Sequence, residues 1–186
     1  MKKIILASKS PRRSQLLELA GIPFEIRTKD VEEIYPDDMA VEEVAPFLAR
    51  LKAQPLLASL QKDEIILTAD SVVIHKGIIY GKPKGFEDAK YTLQQLSGSM
   101  HTVITGVCMV SLKKEEVFSG VSKVYFDELT DEEIDYYINN YEPYDKAGSY
   151  GIQEWMGLCK INKIEGTFPN IMGLPVDLVY KHWKQF

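Results

Sequence analysis

The spacing of apolar residues changes along the chain between the period of a strand and the period of a helix. A first apolar run predicts a strand over residues 4–7, and Ser10-Pro11 predicts the start of a helix with Ser10 as its N-cap. A second strand is predicted over residues 24–28. Apolar residues at helical spacing then predict a long helix over residues 40–60.

The middle of the chain contains mostly strands. Residues 64–69 predict an apolar strand that ends at Asp70-Ser71. The further elements expected are a hairpin over 71–80, helices over 86–96, 130–141 and 175–183, and strands over 102–112, 116–126 and 159–164. Helices and strands alternate early, but several later strands follow one another directly. The pattern therefore predicts an α/β fold with a mixed sheet.

Composition narrows the class of protein. A chain of 186 residues with 45% hydrophobic residues predicts one compact domain over residues 1–186, or one domain with two lobes. The apolar runs are too short to span a membrane, and Cys108 and Cys159 do not have metal-site spacing. We therefore expect a soluble cytoplasmic protein. A net charge of −5 argues against a general nucleic-acid binder.

Charge is distributed unevenly. Residues 1–29 contain seven basic and two acidic side chains, whereas residues 127–145 contain eight acidic side chains and no basic one. The acidic cluster is typical of a solvated helix face. The basic cluster includes Ser8 and the pair Arg12-Arg13, at the predicted junction of a strand and a helix. Cations are unfavourable beside the positive end of a helix unless an anion binds there, so this segment predicts a phosphate site. The alternative is an exposed basic turn paired with nearby acids.

Carboxylates are the other candidate reactive groups. Asp70 follows an apolar strand, and α/β folds bind ligands beyond the carboxyl ends of their strands. A carboxylate there can bind a divalent cation or accept a proton from water. The alternative is an aspartate that caps the following turn. Glu33, in a predicted loop, could bring a second carboxylate or could be exposed to solvent.

Three further side chains are candidates for binding a phosphorylated ligand. Lys52 falls near the apolar face of the long helix, and Lys82 occupies a tight turn, Gly81-Lys82-Pro83. Each could equally be a surface lysine. Gln153 ends a segment with two glycines, and its amide can donate to and accept from the edge of a base. An ordinary structured loop is the alternative.

These segments together resemble the Maf family of nucleoside triphosphate pyrophosphatases. The two most specific matches are S-x-S-P-R-R, which begins at Ser8, and D-K-A-G-x-Y-x-I-Q, which ends at Gln153. The other matching segments, in the family's order, are Glu32-Glu33, 48–53, 69–73, 81–83, 96–98, 105–107 and 173–175.

The resemblance implies a fold, an activity and an assembly. It implies a mixed, bent central sheet with flanking helices, like that of inosine triphosphate pyrophosphatases, with two lobes around a cleft. It implies a homodimer that uses a divalent cation, Mg²⁺ or Mn²⁺, to hydrolyse a nucleoside triphosphate to the monophosphate and pyrophosphate. The expected substrates are dTTP and UTP, with modified pyrimidine nucleotides as a further possibility.

The resemblance also implies roles for individual residues, while the metal ligands stay unassigned. Asp70 matches the proton acceptor. The residues that match the phosphate and metal region are Ser8, Arg12, Arg13, Glu33, Lys52 and Lys82. The positions that set base preference in the dTTP/UTP branch match Arg12, Ser71 and Gln153, although the family pattern has Thr where this chain has Ser71. That departure keeps a hydroxyl and loses a methyl, so it could alter selectivity.

Two other functions are compatible with parts of the pattern. One is a regulator linked to cell division or septum formation, which binds nucleotides or nucleic acid through its basic N-terminal segment without catalysis. The net charge and the absence of aromatic residues interleaved with that segment weigh against it. The other is a hydrolase that releases orthophosphate.

Overall fold

The computed structural model describes residues 2–186, which form one mixed sheet with helices around it. The strands are β1 (Lys3–Leu6), β2 (Phe24–Ile26), β3 (Glu64–His75), β4 (Ile78–Tyr80), β5 (Met100–Val110), β6 (Glu115–Phe126) and β7 (Ile161–Glu165). The helices are α1 (Pro11–Leu19), α2 (Val41–Ala53), α3 (Phe86–Leu96), α4 (Asp131–Tyr141), α5 (Trp155–Cys159), α6 (Phe168–Met172) and α7 (Val176–Trp183). The predicted α/β class is confirmed.

The sheet combines parallel and antiparallel pairs. Its order is β2-β1-β3-β5-β6-β7, and β4 pairs with β3. Strand β1 is parallel to both β2 and β3, whereas β4 is antiparallel to β3 and β7 is antiparallel to β6. The parallel pairs belong to the early part of the chain, where helices separate the strands, as the sequence pattern predicts.

The chain divides into two compact units. Among the described residues, the first contains 2–71, 105–120 and 173–186, and the second contains 72–104 and 121–172. Strands β3, β5 and β6 each contribute residues to both units. The expectation of a single domain over residues 1–186 stays a prediction.

In the first unit, α2 packs directly on the sheet. Ala49 and Ala53 of the helix join Ile5, Ile66 and Cys108 in one buried apolar cluster. The Thr68 hydroxyl donates a hydrogen bond of 2.6 Å to the Ala49 carbonyl, so β3 and α2 are also joined by a polar contact inside the core. Gly106 of β5 permits this close packing, because a Cβ there would lie 2.2 Å from the Pro46 nitrogen.

In the second unit, α3 and α4 pack against each other, and each carries buried apolar residues, among them Leu93 and Ile138. The predicted capping box at the start of α4 is confirmed, because the Thr130 hydroxyl accepts from the Glu133 N–H and the Glu133 carboxylate accepts from the Thr130 N–H. Gly148, with a φ of +72°, packs against Val73 of β3.

Three local predictions were wrong. Strand β3 does not end at Asp70, because the β-branched residues that follow continue it to His75. The helix predicted over 40–60 ends at Ala53 and tightens into a 3₁₀ turn that contains Pro55. Cys159 ends the short helix α5 rather than starting a strand. Within residues 2–186, no helix combines the length and the apolar character required to span a bilayer.

A buried histidine in the second unit makes stability depend on pH. Burial, reinforced by the nearby His75, lowers the pKa of His101 to about 3 from its usual 6.5. Its imidazole is hydrogen-bonded to the Tyr150 hydroxyl at 2.7 Å and packs edge-on against Phe126. An unfolded chain therefore binds a proton at this residue near pH 6.5, and the folded protein does not.

We expect His101 to stabilise the fold fully above pH 6.5 and to lose that contribution as the pH falls toward 3. One proton bound only by the unfolded chain lowers the free energy of unfolding by up to about 1.4 kcal/mol per pH unit. Urea denaturation at pH 7, 6 and 5 measures this slope. The slope of a His101→Gln variant should be shallower than that of the wild type, and equal slopes would contradict the assignment.

Candidate active site

Arg13 lies at the centre of a polar cluster in the first unit. We call this group, which contains Arg13, Ser8, Ser71 and Gly173, the arginine cluster. The Nε of Arg13 donates to the Gly173 carbonyl at 2.8 Å, and its two terminal nitrogens donate to the hydroxyls of Ser8 and Ser71, both at 3.3 Å. These three acceptors are neutral, so they orient the guanidinium without neutralising its charge. An anion that approached the cluster would meet a cation already held in place.

The start of α1 brings this arginine to the end of β1. Pro11 occupies the first turn of the helix, as predicted. Ser10 is the N-cap residue, but its side chain makes no capping hydrogen bond. The prediction that Ser10 is the N-cap residue is therefore confirmed. The buried Ser8 hydroxyl accepts from the Ser10 N–H at 3.2 Å and from Arg13.

Lys52 of α2 brings two carboxylates together. Its ammonium forms ion pairs with Asp70 of β3 and, at 3.1 Å, with Glu33 of the loop that follows β2. The Lys52 and Asp70 side chains are only 18% and 12% exposed, so water screens their pairing weakly, whereas the Glu33 side chain is 49% exposed. A lysine, a buried carboxylate and a more exposed one thus lie beside the arginine cluster.

Asp70 lies just past the point where the parallel strand β1 ends, although β3, to which Asp70 belongs, continues. The last residue of β1, Leu6, is paired with Leu67 of β3, and the Ala7 N–H donates to the Leu67 carbonyl. Asp70 follows three residues later. Asp70 therefore lies near the carboxyl end of β1, and the alternative of a turn-capping aspartate is excluded because Asp70 lies within a strand.

Neighbouring charges act on the Arg13 guanidinium. Burial lowers the pKa of Arg13, the negative charge of Asp70 opposes that change, Arg12 adds to it, and Glu33 opposes it weakly. Each of these charges acts on the same guanidinium, so the structure brings Arg12, Asp70 and Glu33 to the arginine cluster.

Two contributors to the cluster were missing from the sequence-based set. The Thr105 hydroxyl, buried on β5, is hydrogen-bonded to the Ser71 hydroxyl at 2.8 Å. Gly173 supplies the carbonyl that binds Arg13, from a backbone with φ of +121° that favours glycine. Both residues lie in segments that match the family pattern. Thr105 is 34 residues from Ser71 and Gly173 is 160 residues from Arg13, so nothing in the local sequence indicates either contact.

Lys82 and Gln153 belong to the second unit. Lys82 follows β4 in an exposed turn, and the carbonyl of the preceding Gly81 accepts from the Gly148 N–H at 3.2 Å. That bond joins the Lys82 turn to residues 145–153, whose last residue is the exposed Gln153. The prediction that these two side chains act with the arginine cluster stays a prediction.

A divalent cation would find oxygen donors in the first unit. Asp70 and Glu33 both contact one ammonium, so they are close enough to act on a single ligand. Among residues 2–186, no group of three or more His, Cys, Asp or Glu side chains is arranged to hold a metal. Two carboxylates suit Mg²⁺ in the common arrangement in which the phosphates of a substrate supply further ligands.

A family model described as "Maf-like protein" matches residues 3–186. The chain belongs to the Maf family. The match spans both units, and it includes every residue of the arginine cluster and the two carboxylates beside it.

Several curated Maf relatives carry the same name. Proteins named dTTP/UTP pyrophosphatase from Phocaeicola vulgatus and Flavobacterium johnsoniae are each 48% identical to this Maf protein, over 184 and 180 residues. The alignments cover 98% and 97% of this chain and 95% and 93% of the relatives. A protein of that name from Porphyromonas gingivalis is also 48% identical, over 99% of this chain and 94% of its own.

Among solved structures, the Staphylococcus aureus Ham1 protein shows a partial likeness. The superposition covers 67% of this chain and 72% of that one, with a TM-score of 0.49 and 17% sequence identity.

Proposed function

We propose that this Maf protein hydrolyses nucleoside triphosphates, with dTTP and UTP as substrates, to the monophosphate and pyrophosphate. The observation that carries the proposal is the pairing of an oriented arginine with a lysine-bound carboxylate in one unit of the fold. The names of the relatives that are 48% identical over nearly the whole chain support the choice of reaction and of base.

In this proposal, basic side chains bind the phosphates of the substrate. Negative charge spreads over the phosphate oxygens in the transition state of phosphoryl transfer, so oriented cations stabilise it most. Arg13 is held by Ser8, Ser71 and Gly173 before a substrate arrives, which reduces the reorganisation that binding requires. Arg12, Lys52 and Lys82 complete the proposed set.

Water activation falls to Asp70. Its carboxylate accepts a hydrogen bond from the Lys52 ammonium and lies beside the arginine cluster. In this position Asp70 can orient a water molecule for attack on the α-phosphorus and accept its proton. Asp70 and Glu33 would hold a divalent cation, Mg²⁺ or Mn²⁺. When bound, that cation neutralises phosphate charge and lowers the pKa of a coordinated water.

Base recognition falls to Arg12, Ser71 and Gln153. A glutamine amide offers one acceptor and two donors, which suits the O4 and N3–H edge of uracil and thymine. Ser71 is fixed by Thr105 and Arg13, so the position where this chain departs from the family pattern still presents an oriented hydroxyl.

Product analysis tests the proposal. The purified protein is incubated with single nucleoside triphosphates and Mg²⁺ or Mn²⁺, and the products are separated. Equal amounts of monophosphate and pyrophosphate from dTTP and UTP are expected. Release of orthophosphate would identify a different hydrolase. Nucleotide binding without turnover would instead favour the non-catalytic regulator.

The assembly and cellular location are part of the same proposal. We infer that the protein acts as a cytoplasmic homodimer, and the resemblance to the family is what supports this. Light scattering coupled to size-exclusion chromatography tests the assembly, with twice the 21.1 kDa chain mass as the expected result. A mass of one chain would contradict it.

Replacement of Arg13 by lysine should lower kcat/KM for dTTP by about 100-fold, because an ammonium cannot reproduce three directed hydrogen bonds from one planar group. Steady-state kinetics on the variant measures the loss. The matched control is Arg50→Lys, since Arg50 forms a more exposed ion pair with Glu115 in the same unit. Loss below threefold in Arg13→Lys would show that the oriented guanidinium is not required.

A further inference from the structure

The hydroxyl of Tyr137 joins two ends of a single turn in the second unit. Tyr137 belongs to α4 and is completely buried. Its hydroxyl accepts a hydrogen bond of 2.9 Å from the Gly151 N–H and donates one to the Glu154 carboxylate. Burial raises the pKa of Tyr137, and the hydrogen bond to Glu154 adds to this effect, so the hydroxyl keeps its proton at neutral pH.

The turn over residues 151–154 carries Gln153. Its backbone is closed by a hydrogen bond of 3.1 Å from the Glu154 N–H to the Gly151 carbonyl. Ile152 is 4% exposed, whereas Gln153 is exposed, so the turn buries one of its central residues and presents the other to solvent. The turn is therefore held by its own backbone hydrogen bond and by the two hydrogen bonds of the Tyr137 hydroxyl.

Neighbouring groups pack tightly against this turn. A Cβ at Gly151 would lie 2.7 Å from the Glu154 carboxyl carbon, and one at Gly157 of α5 would lie 1.7 Å from the Ile152 carbonyl oxygen. Lys146 holds the other Glu154 oxygen through an ion pair of 3.2 Å, and its side chain is only 10% exposed. The Glu154 carboxylate is thus held by a hydroxyl and by an ammonium.

We propose that Tyr137 is a positioning residue for base selection, because its hydroxyl fixes the turn that presents Gln153. The proposal rests on the proposed function, in which Gln153 contacts the base. A glutamine amide can turn over to exchange its donor and acceptor, and it then matches cytosine as well as uracil or thymine. In the proposal, a backbone held in one position favours one of these two orientations at the base.

The test is Tyr137→Phe, which removes the hydroxyl and keeps the ring. We expect the ratio of kcat/KM for dTTP to that for CTP to fall by about tenfold, through a higher KM for dTTP with kcat within about twofold. The matched control is Tyr141→Phe. Tyr141 is on the same helix and stacks on Tyr137 at 5.0 Å, so its substitution changes a neighbouring hydroxyl without touching the turn.

Hydrogen exchange of the intact protein supplies a readout that does not depend on turnover. The amides of residues 151 and 154 should exchange faster in Tyr137→Phe than in the wild type and in Tyr141→Phe. A second variant, Glu154→Gln, keeps an oxygen to accept the tyrosine hydroxyl and loses the charge that Lys146 binds. It should lower the selectivity ratio less than Tyr137→Phe does.

Several outcomes would overturn the proposal. An unchanged selectivity ratio in Tyr137→Phe would do so, as would an equal loss of kcat for both substrates, which indicates a structural role alone. If Tyr137→Phe does not fold, an unchanged ratio in Glu154→Ala, which removes the group that accepts the tyrosine hydroxyl, would have the same meaning. Wild-type protein that hydrolyses neither triphosphate would refute the proposed function and base selection together. Faster hydrogen exchange in Tyr137→Phe would then show only that the tyrosine hydroxyl stabilises the turn over residues 151–154.

Discussion

Asp70→Asn should lower kcat for dTTP by about 1000-fold while the protein stays folded. The substitution keeps the shape of the side chain but removes the negative charge that accepts a proton from water, and general-base catalysis contributes about 10²- to 10⁴-fold. An amide oxygen can still accept a hydrogen bond from Lys52, and Lys52 keeps its ion pair with Glu33 at 3.1 Å. The buried pair is therefore weakened without leaving an unpartnered ammonium.

The measurement combines steady-state turnover with thermal unfolding and nucleotide binding. The matched control is Asp63→Asn, the same chemical change at an exposed residue immediately before β3. Its kcat and melting temperature should equal those of the wild type. Asp70→Asn should still bind the triphosphate, because the substitution leaves the basic side chains proposed to bind the phosphates unchanged. Turnover above about a tenth of the wild-type rate in Asp70→Asn would refute its assignment as the proton acceptor.

The local features of the first unit could be predicted because they depend on short stretches of sequence. The helix start at Pro11, the position of Lys52 on a helix and the proximity of Asp70 to the end of β1 follow from periodicity and from the rule on strand ends. The continuation of β3 past Asp70 was missed. A polar pair was interpreted as the end of a strand, although the apolar residues after it favour the strand equally.

The contacts that orient Arg13 could not be predicted from local sequence. The Gly173 carbonyl is 160 residues away from the arginine that it binds, and Thr105 is 34 residues away from Ser71. Their positions depend on which strands are adjacent in the sheet, and hydrophobic periodicity does not specify that order. The resemblance to the family did mark both segments as matching, but it gave neither residue a role.

In the second unit, too, sequence patterns did not reveal a contact that positions a candidate site residue. The sequence predicted a glycine-containing loop over residues 145–153, whereas the structure has 3₁₀ turns at Pro143–Asp145 and Ala147–Ser149, followed by the exposed Gln153. The support from Tyr137 was not predicted, because a tyrosine on an apolar helix face is indistinguishable by pattern from an ordinary core residue. Only the hydrogen bonds of its hydroxyl identify it.

Gly106→Ala should lower the free energy of unfolding by about 3 kcal/mol or more. The added Cβ would lie 2.2 Å from the Pro46 nitrogen and 2.4 Å from the Ala45 oxygen. Both are backbone atoms of α2, so the strain cannot be relieved by rotation of a side chain, and the helix must move away from β5. Urea denaturation measures the loss. The matched control is Gly85→Ala, where nothing lies within 4 Å of an added Cβ and the loss should be below about 1 kcal/mol.

Activity should fall together with stability in Gly106→Ala, because α2 also carries Lys52. A shift of the helix changes the distance between the Lys52 ammonium and Asp70, and displacements of about 1 Å can cost about 100-fold in rate. Turnover is therefore measured at a temperature and urea concentration where the variant is fully folded. Normal turnover by the folded variant would show that the position of α2 is not what aligns Lys52, whereas a stability loss under 1 kcal/mol would contradict the close contact between β5 and the helix.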